Sequence, residues 1–79
     1  MATVRYFAAA RAATGRTTEI VDADSLKTLV EALELRHGER LTRVLTACAF
    51  LVDGLSCREP ATELTKASTV DVLPPFAGG

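Results

Sequence analysis

The last six residues carry the chemistry that stands out in this sequence. Residues 74–79 read Pro-Pro-Phe-Ala-Gly-Gly, so two prolines and one aromatic side chain precede a Gly-Gly pair. Glycine has no Cβ, and Gly78 and Gly79 can therefore pass through a channel too narrow for other residues. The reactive group of such a segment would be the α-carboxylate of Gly79. Activated by ATP as an acyl-adenylate, it could accept sulfur or an amine.

The two prolines determine how this segment would leave the fold. Pro74 and Pro75 fix φ and remove backbone donors, so a strand cannot continue past Leu73 except at a sheet edge. Residues that precede proline are held extended, so residues 74–79 should project straight from the sheet, with a reach of roughly 20 Å. This pattern predicts a segment that is inserted into a partner. The alternative is an unstructured terminus, with which Gly-Gly alone is equally consistent.

Other side chains that could carry chemistry have structural explanations. The single histidine, His37, precedes a glycine at a predicted helix end, where a capping role is expected. Cys48 continues an apolar stripe, and Cys57 has no neighbouring histidine to lower its pKa. Asp22 and Asp24 suit helix capping better than metal binding. No nucleophile–base pair, phosphate loop or metal constellation is present, so we expect no active site and no metal within the fold.

Composition limits the classes of function. A chain of 79 residues with 48% hydrophobic and 24% charged residues is expected to form one packed domain. Nine basic and ten acidic residues are interspersed, and no basic face indicates nucleic acid as a partner. No apolar run reaches transmembrane length and no signal-peptide pattern is present, so we expect a cytoplasmic protein without a membrane partner and with reduced cysteines.

Hydrophobic periodicity predicts an α+β domain. Alternation and β propensity predict strands over residues 3–7, 16–21, 49–52, 55–57 and 70–73. The Asp53-Gly54 pair predicts a hairpin turn between the third and fourth strands. The loop over residues 59–68 is expected to bury Leu64.

Three helices are predicted between these strands. Residues 8–13 are rich in alanine and should form a short helix that ends at Thr14-Gly15. An apolar stripe predicts the main helix, capped by Asp24 or Ser25 and ending at His37-Gly38, with Gly38 in the left-handed cap conformation; the stripe consists of Leu26, Leu29, Val30 and Leu33. The same spacing predicts a second, shorter helix through Leu41, Val44, Leu45 and Cys48.

Two stretches resemble one known family. VRYFAAARAATG at residues 4–15 and LPPFAGG at residues 73–79 are similar to the small, sulfur-carrying subunit of molybdopterin synthase. The resemblance covers essentially the whole chain. It implies the ubiquitin-like β-grasp fold, a mixed sheet with helix on one face in which the first and last strands are parallel neighbours. The domain would occupy residues 1–75, and a flexible Gly-Gly tail would occupy residues 76–79.

The resemblance also implies a function. In this family the terminal glycine, here Gly79, is adenylated by an ATP-dependent, E1-like enzyme and converted to a thiocarboxylate. The tail, here Pro74, Pro75, Phe76, Ala77 and Gly78 before that residue, inserts into the large catalytic subunit and donates sulfur to a cyclic pterin precursor. The small subunit binds no cofactor itself, since ATP is used by the activating partner, and two small and two large subunits form a heterotetramer. One departure is Ala67-Ser68, where the family often has a Gly-Asp turn.

Strand alternation places a candidate partner-binding patch. If Tyr6 faces the helix, Phe7 does not, and if Val72 faces the helix, Leu73 does not. With the first and last strands adjacent, Phe7 and Leu73 would meet opposite the core, at the root of the segment that carries Phe76. We expect these three residues to form an interface, the alternative being isolated exposed apolar residues.

Other functions stay open from the sequence alone. The same thiocarboxylate could serve thiamine or cysteine synthesis. Gly79 could instead be joined to lysines of target proteins, although Lys27 and Lys66 are the only lysines here and argue against chains built on this protein itself. A third class is a plain interaction module without carboxylate chemistry. The sequence does not identify the activating enzyme or the acceptor.

Overall fold

The computed structural model describes residues 1–74, which form one five-stranded mixed sheet with three helices. In chain order the elements are β1 (Ala2–Tyr6), α1 (Ala8–Thr14), β2 (Thr18–Val21), α2 (Leu26–His37), α3 (Glu39–Leu45), β3 (Ala49–Val52), β4 (Leu55–Ser56) and β5 (Thr69–Leu73). The sheet order is β2-β1-β5-β3-β4. β1 and β5 are parallel neighbours, as the resemblance implied, and the other pairs are antiparallel.

Alternation along the central strands builds the core. Val4 and Tyr6 on β1, and Val70 and Val72 on β5, are no more than 2% exposed. The stripe predicted on α2 packs in the same core: Leu26, Leu29 and Leu33 are buried, and Val30 is half-buried. Burying apolar side chains from both layers is the main stabilising term for a domain of this size.

Both ends of α2 are defined by the local sequence. Ser25 is the N-cap and forms a capping box with Thr28: the Thr28 N–H donates to Ser25 Oγ over 3.2 Å, and the Ser25 N–H donates to Thr28 Oγ1 over 3.1 Å. The cap is therefore Ser25 and not Asp24. At the other end Gly38 has φ 79° but ψ −166°, so the predicted left-handed cap conformation is wrong there.

Several predicted boundaries are wrong by one to three residues. β1 ends at Tyr6 because the chain leaves the sheet at Phe7, and Ala8 turns it into α1 with φ 49°. α3 ends at Leu45, so Cys48 lies beyond the helix, in a tighter turn where its N–H donates to Leu45 O over 3.1 Å. Smaller shifts affect β2, β4 and β5, which occupy Thr18–Val21, Leu55–Ser56 and Thr69–Leu73.

The turns agree with the sequence. Asp53 and Gly54 have φ values of 51° and 85°, as a two-residue hairpin turn requires. Leu64 is buried, as expected. The turn before β5 forms without the Gly-Asp pair, because Ser68 Oγ accepts from the Thr65 N–H over 2.9 Å. Among residues 1–74, no helix is both long enough and apolar enough to cross a membrane.

Candidate functional site

The root of the candidate segment lies at the end of the central strand β5. Leu73, its last residue, is paired with Ala49 at the start of β3 and is half-buried, as is Pro74. Of the residues predicted to insert into a partner, Pro74 alone lies within the described part of the chain. The others, Pro75, Phe76, Ala77, Gly78 and the sulfur-carrying candidate Gly79, lie outside it, so their roles stay predictions. The division into residues 1–75 and 76–79 likewise stays a prediction.

One side of the sheet faces away from the helices and is called here the open face. Residues paired in register share a face, and the buried residues of β1 and β5 define the other side. The open face therefore consists of Thr3 and Arg5 from β1, Thr18 and Ile20 from β2, Ala49 and Leu51 from β3, and Thr69, Asp71 and Leu73 from β5.

Phe7 lies on the same side as the open face. Its ring is 5.9 Å from the guanidinium carbon of Arg5, and the residue is 38% exposed. Leu73 lies on the same face through its pairing with Ala49. The β1–β5 register ends at the Tyr6–Val72 pair, because the chain leaves the sheet at Phe7. Both residues thus lie on the side that strand alternation predicted, and their direct contact stays a prediction. Their role in partner binding, together with that of Phe76, stays a prediction.

The open face also holds an ion pair that the sequence reasoning missed. Arg5 Nε is 2.5 Å from Asp71 Oδ1, and Arg5 Nη2 is 2.7 Å from Asp71 Oδ2. The Asp71 side chain is 9% exposed, whereas that of Arg5 is 50% exposed. The hydrogen bond to Asp71, reinforced by its charge, raises the pKa of Arg5. The signal was available, because alternation and the parallel register together place both residues on this face.

A second charged cluster lies on the opposite, helix-covered side and is centred on Glu19. Oε1 accepts from Tyr6 Oη over 2.6 Å and lies 2.8 Å from His37 Nε2, and Oε2 accepts from Arg36 Nη1 over 2.9 Å. Arg16 Nε is 3.8 Å from Oε2. The Glu19 side chain is 5% exposed. The cluster thus joins the end of α2 to β2 and β1.

The electrostatics of Glu19 follow from these contacts. Burial raises the pKa of the carboxyl group, but hydrogen bonds from Tyr6, His37 and Arg36 outweigh it and hold the pKa at about 2. Burial, followed by the hydrogen bond to Glu19, raises the pKa of Tyr6 above its usual range. Both oxygens of Glu19 accept hydrogen bonds from protein donors, so this carboxylate has a structural role. His37 lies at the predicted helix end, but its ring contacts Glu19.

The two cysteines are free and half-buried. Burial raises the pKa of the Cys48 thiol, which favours the core role predicted for it. Cys48 also lines an open groove of about 430 Å³ with Val30 and Phe50, on the helix side of the sheet. Cys57 Sγ is 3.0 Å from Thr62 Oγ1. Within residues 1–74 no three His, Cys, Asp or Glu side chains are grouped so as to hold a metal ion.

Comparison with known proteins identifies the family. The model of the ThiS family matches residues 4–79, nearly the whole sequence. The chain belongs to the ThiS family. No curated protein matches the sequence.

Solved structures agree with this assignment. The ThiS-family chain is similar to a chain of the complex of subunits 1 and 2 of molybdopterin-converting factor from Helicobacter pylori 26695, with 26% identity, 99% of this chain and 97% of that chain covered, and a TM-score of 0.75. Small archaeal modifier protein 1 from Methanosarcina acetivorans is 20% identical, with coverages of 99% and 95% and a TM-score of 0.87. Its counterpart from Haloferax volcanii is 21% identical, with coverages of 99% and 98% and a TM-score of 0.80.

These similarities confirm two predictions made from the sequence. The fold is the ubiquitin-like β-grasp, a mixed five-stranded sheet with helices packed on one side. The resemblance to the small subunit of molybdopterin synthase is also confirmed, because the family model and a molybdopterin-converting factor structure both match nearly the whole chain.

Proposed function

We propose that this chain is a sulfur carrier, the small subunit of a molybdopterin synthase, and that Gly79 carries the sulfur as a thiocarboxylate. The observation that carries the proposal is the ThiS-family match, which extends through Gly79 and so includes the Pro-Pro-Phe-Ala-Gly-Gly sequence after β5. The proposed acceptor is a cyclic pterin precursor, bound by the large subunit.

The proposed chemistry takes place at one carboxyl group in two steps. The Gly79 carboxylate attacks the α-phosphorus of ATP, so that an acyl-adenylate forms and pyrophosphate leaves. A hydrosulfide ion then attacks the acyl carbon, where a C–S bond forms, the C–O bond to AMP breaks, and a proton is released. The product is a thiocarboxylate and AMP, with no change of oxidation state. Activation is needed because a free carboxylate is a poor acyl donor, whereas AMP is a good leaving group.

The described part of the chain supports a carrier rather than a catalyst. Its most perturbed carboxylate, Glu19, is hydrogen-bonded to Tyr6, His37 and Arg36, and burial raises the pKa of the Cys48 thiol, which disfavours nucleophilic catalysis there. β5 is paired on both sides, by β1 and by β3, so its end is a rigid root for the segment that follows. A rigid root helps a partner to receive the segment in one direction, which limits the entropy lost on binding.

Two partners are proposed. The first is an E1-like enzyme that binds ATP and adenylates Gly79, so the carrier itself needs no cofactor. The second is the large subunit of molybdopterin synthase, which the segment would enter. The solved complex of subunits 1 and 2 of molybdopterin-converting factor supports this second partner. We propose a heterotetramer of two small and two large subunits.

The intact mass of the protein tests the proposal directly. The protein is incubated with the E1-like enzyme of its own organism, ATP and sodium hydrosulfide. We expect a mass increase equal to the replacement of one oxygen by sulfur, and no increase when ATP is omitted or Gly79 is deleted. The matched control is Gly54→Asn, which replaces a glycine in the β3–β4 turn by a residue that tolerates its positive φ and leaves Gly79 intact.

Other outcomes would favour the other functions. Accumulation of lysine conjugates without a thiocarboxylate would support a protein modifier, and no covalent change would support a plain interaction module. A thiocarboxylate that transfers no sulfur to a cyclic pterin would redirect the proposal to thiamine or cysteine synthesis.

A further inference from the structure

The Arg5–Asp71 pair occupies an informative position on the open face. Arg5 on β1 and Asp71 on β5 lie next to each other on neighbouring central strands, and Leu51 on β3 is paired with Asp71 from the other side. Phe7 and Leu73 lie on the same face, one step closer to the root of the C-terminal segment. A charged pair is thus set among apolar residues, at the place where the proposed function requires a partner to dock.

The geometry leaves one edge of the guanidinium available. Asp71 accepts hydrogen bonds from Nε and Nη2, and Nη1 donates to no acceptor within residues 1–74. Asp71 is nearly covered, whereas half of the Arg5 side chain remains exposed. The two-point contact with Asp71 fixes the guanidinium plane, and the neighbouring Phe7 ring restricts it further.

We infer that Arg5 is a specificity-determining residue of the docking surface, and that it donates from Nη1 to an oxygen acceptor on the partner protein. Asp71 and Phe7 are the positioning residues. The inference rests on the proposed function, because the occupant is the large subunit of molybdopterin synthase. A partner that covered this edge with apolar groups alone would leave a buried charged donor unsatisfied. Arg5 therefore selects partners that present an acceptor, and it disfavours other apolar surfaces.

The test measures binding to the large subunit of molybdopterin synthase from the same organism by isothermal titration calorimetry. Arg5→Leu removes the donor and leaves an apolar side chain on the open face. We expect the affinity for the large subunit to fall roughly tenfold or more, as for other interface arginines. Arg5→Lys keeps the charge but cannot form the two-point contact, so affinity should fall by a smaller factor. The matched control is Arg43→Leu, which removes an arginine from the exposed Glu39–Arg43 pair on α3 and should bind normally.

A charge exchange separates recognition from stability. The double variant Arg5→Asp with Asp71→Arg preserves an ion pair between β1 and β5, but it moves the guanidinium to the other strand. We expect the melting temperature of the double variant to be closer to the wild-type value than the melting temperature of Arg5→Leu is. Its affinity for the large subunit should stay low. A purely structural pair would recover both properties together.

Two results would overturn the inference. One is wild-type affinity of folded Arg5→Leu, and the other is wild-type affinity of the charge-exchange variant. Thiocarboxylation of the same variants by the E1-like enzyme distinguishes this failure from failure of the proposed function. If the wild type is thiocarboxylated normally and binds the large subunit, and the Arg5 variants bind it equally well, then the inference alone is wrong. A wild-type protein that neither gains sulfur nor binds the large subunit would remove both.

Discussion

The two charged clusters of this domain lie on opposite sides of one sheet and differ in how completely they are satisfied. Glu19 lies under the helices, and both of its oxygens accept from protein donors. Arg5 lies on the open face, where Asp71 engages one edge of the guanidinium and leaves half of the side chain exposed. The sheet thus has one closed cluster and one open cluster.

The difference shows what each cluster can do. A buried carboxylate whose two oxygens both accept hydrogen bonds from the protein offers little to a ligand, and it is costly to disturb because its partners would be left unsatisfied. A half-exposed guanidinium adds less to stability, since water already satisfies its free edge. A partner protein can replace that water and accept a hydrogen bond from the free edge. The closed cluster should therefore control folding, and the open cluster should control recognition.

The largest expected effect is on folding, at Glu19. Glu19→Ala leaves Tyr6, His37 and Arg36 without their shared acceptor, and we expect the free energy of unfolding to fall by about 3 to 5 kcal/mol. Urea denaturation measures it. Glu39→Ala, which removes an exposed carboxylate from α3, is the matched control and should change little. Equal losses in the two variants would contradict the distinction between closed and open clusters.

The contribution of Glu19 should also depend on pH. Its pKa is lowered from 4.5 to about 2 in the folded protein, so its stabilising effect is present above pH 4.5 and is lost as the pH falls towards 2. We therefore expect the difference in unfolding free energy between the wild type and Glu19→Gln to shrink over that range. Urea denaturation at several pH values measures this, and a difference that grew as the pH fell would refute the assignment.

On the open face the expected effect is on binding. Phe7→Ala and Leu73→Ala should each weaken binding to the large subunit by roughly tenfold, as truncation of buried apolar anchors does. Both variants should fold, because neither side chain is fully buried. Ile20→Ala is the control: this residue lies on the same face at the outermost strand β2 and is 63% exposed. If both variants bind with unchanged affinity in calorimetric titration, the docking surface does not lie on this face.

The smallest effect is expected at the other end of α2, opposite to the Glu19 cluster. Ser25→Ala removes the capping-box acceptor, and the unfolding free energy should fall by about 1 kcal/mol. Thermal denaturation measures it, with Asp24→Ala as the control, since Asp24 is not the cap. A larger loss in Asp24→Ala would show that the cap has been assigned to the wrong residue.

The sequence predicted the fold well because its signals are local. Periodicity placed α2 and the inward residues of β1 and β5, and the Asp53-Gly54 pair placed the hairpin turn. The resemblance supplied the parallel pairing of β1 and β5. Local signals predicted the strand ends less well. After β1 the chain turns at Ala8, whose positive φ is unusual for alanine and cannot be predicted from the residue type.

The two charged clusters were missed, and both join residues that are distant in the sequence. Arg5 and Asp71 are 66 residues apart, and Glu19 meets Tyr6 and His37 from separate elements. Alternation shows that Glu19 shares a side of β2 with buried Val21, which indicates a buried carboxylate in need of donors. It does not say which residues supply them, since this depends on how the helix end packs against the sheet.

The most direct test of the central claim follows the sulfur through one turnover. Protein carrying the thiocarboxylate is mixed with the large subunit of molybdopterin synthase and the cyclic pterin precursor, and its intact mass is followed with time. We expect the mass to return to that of the Gly79 carboxylate only when both components are present, as sulfur appears in the pterin. A thiocarboxylate that persists with both present, or that is lost equally without the pterin, would contradict the proposed function.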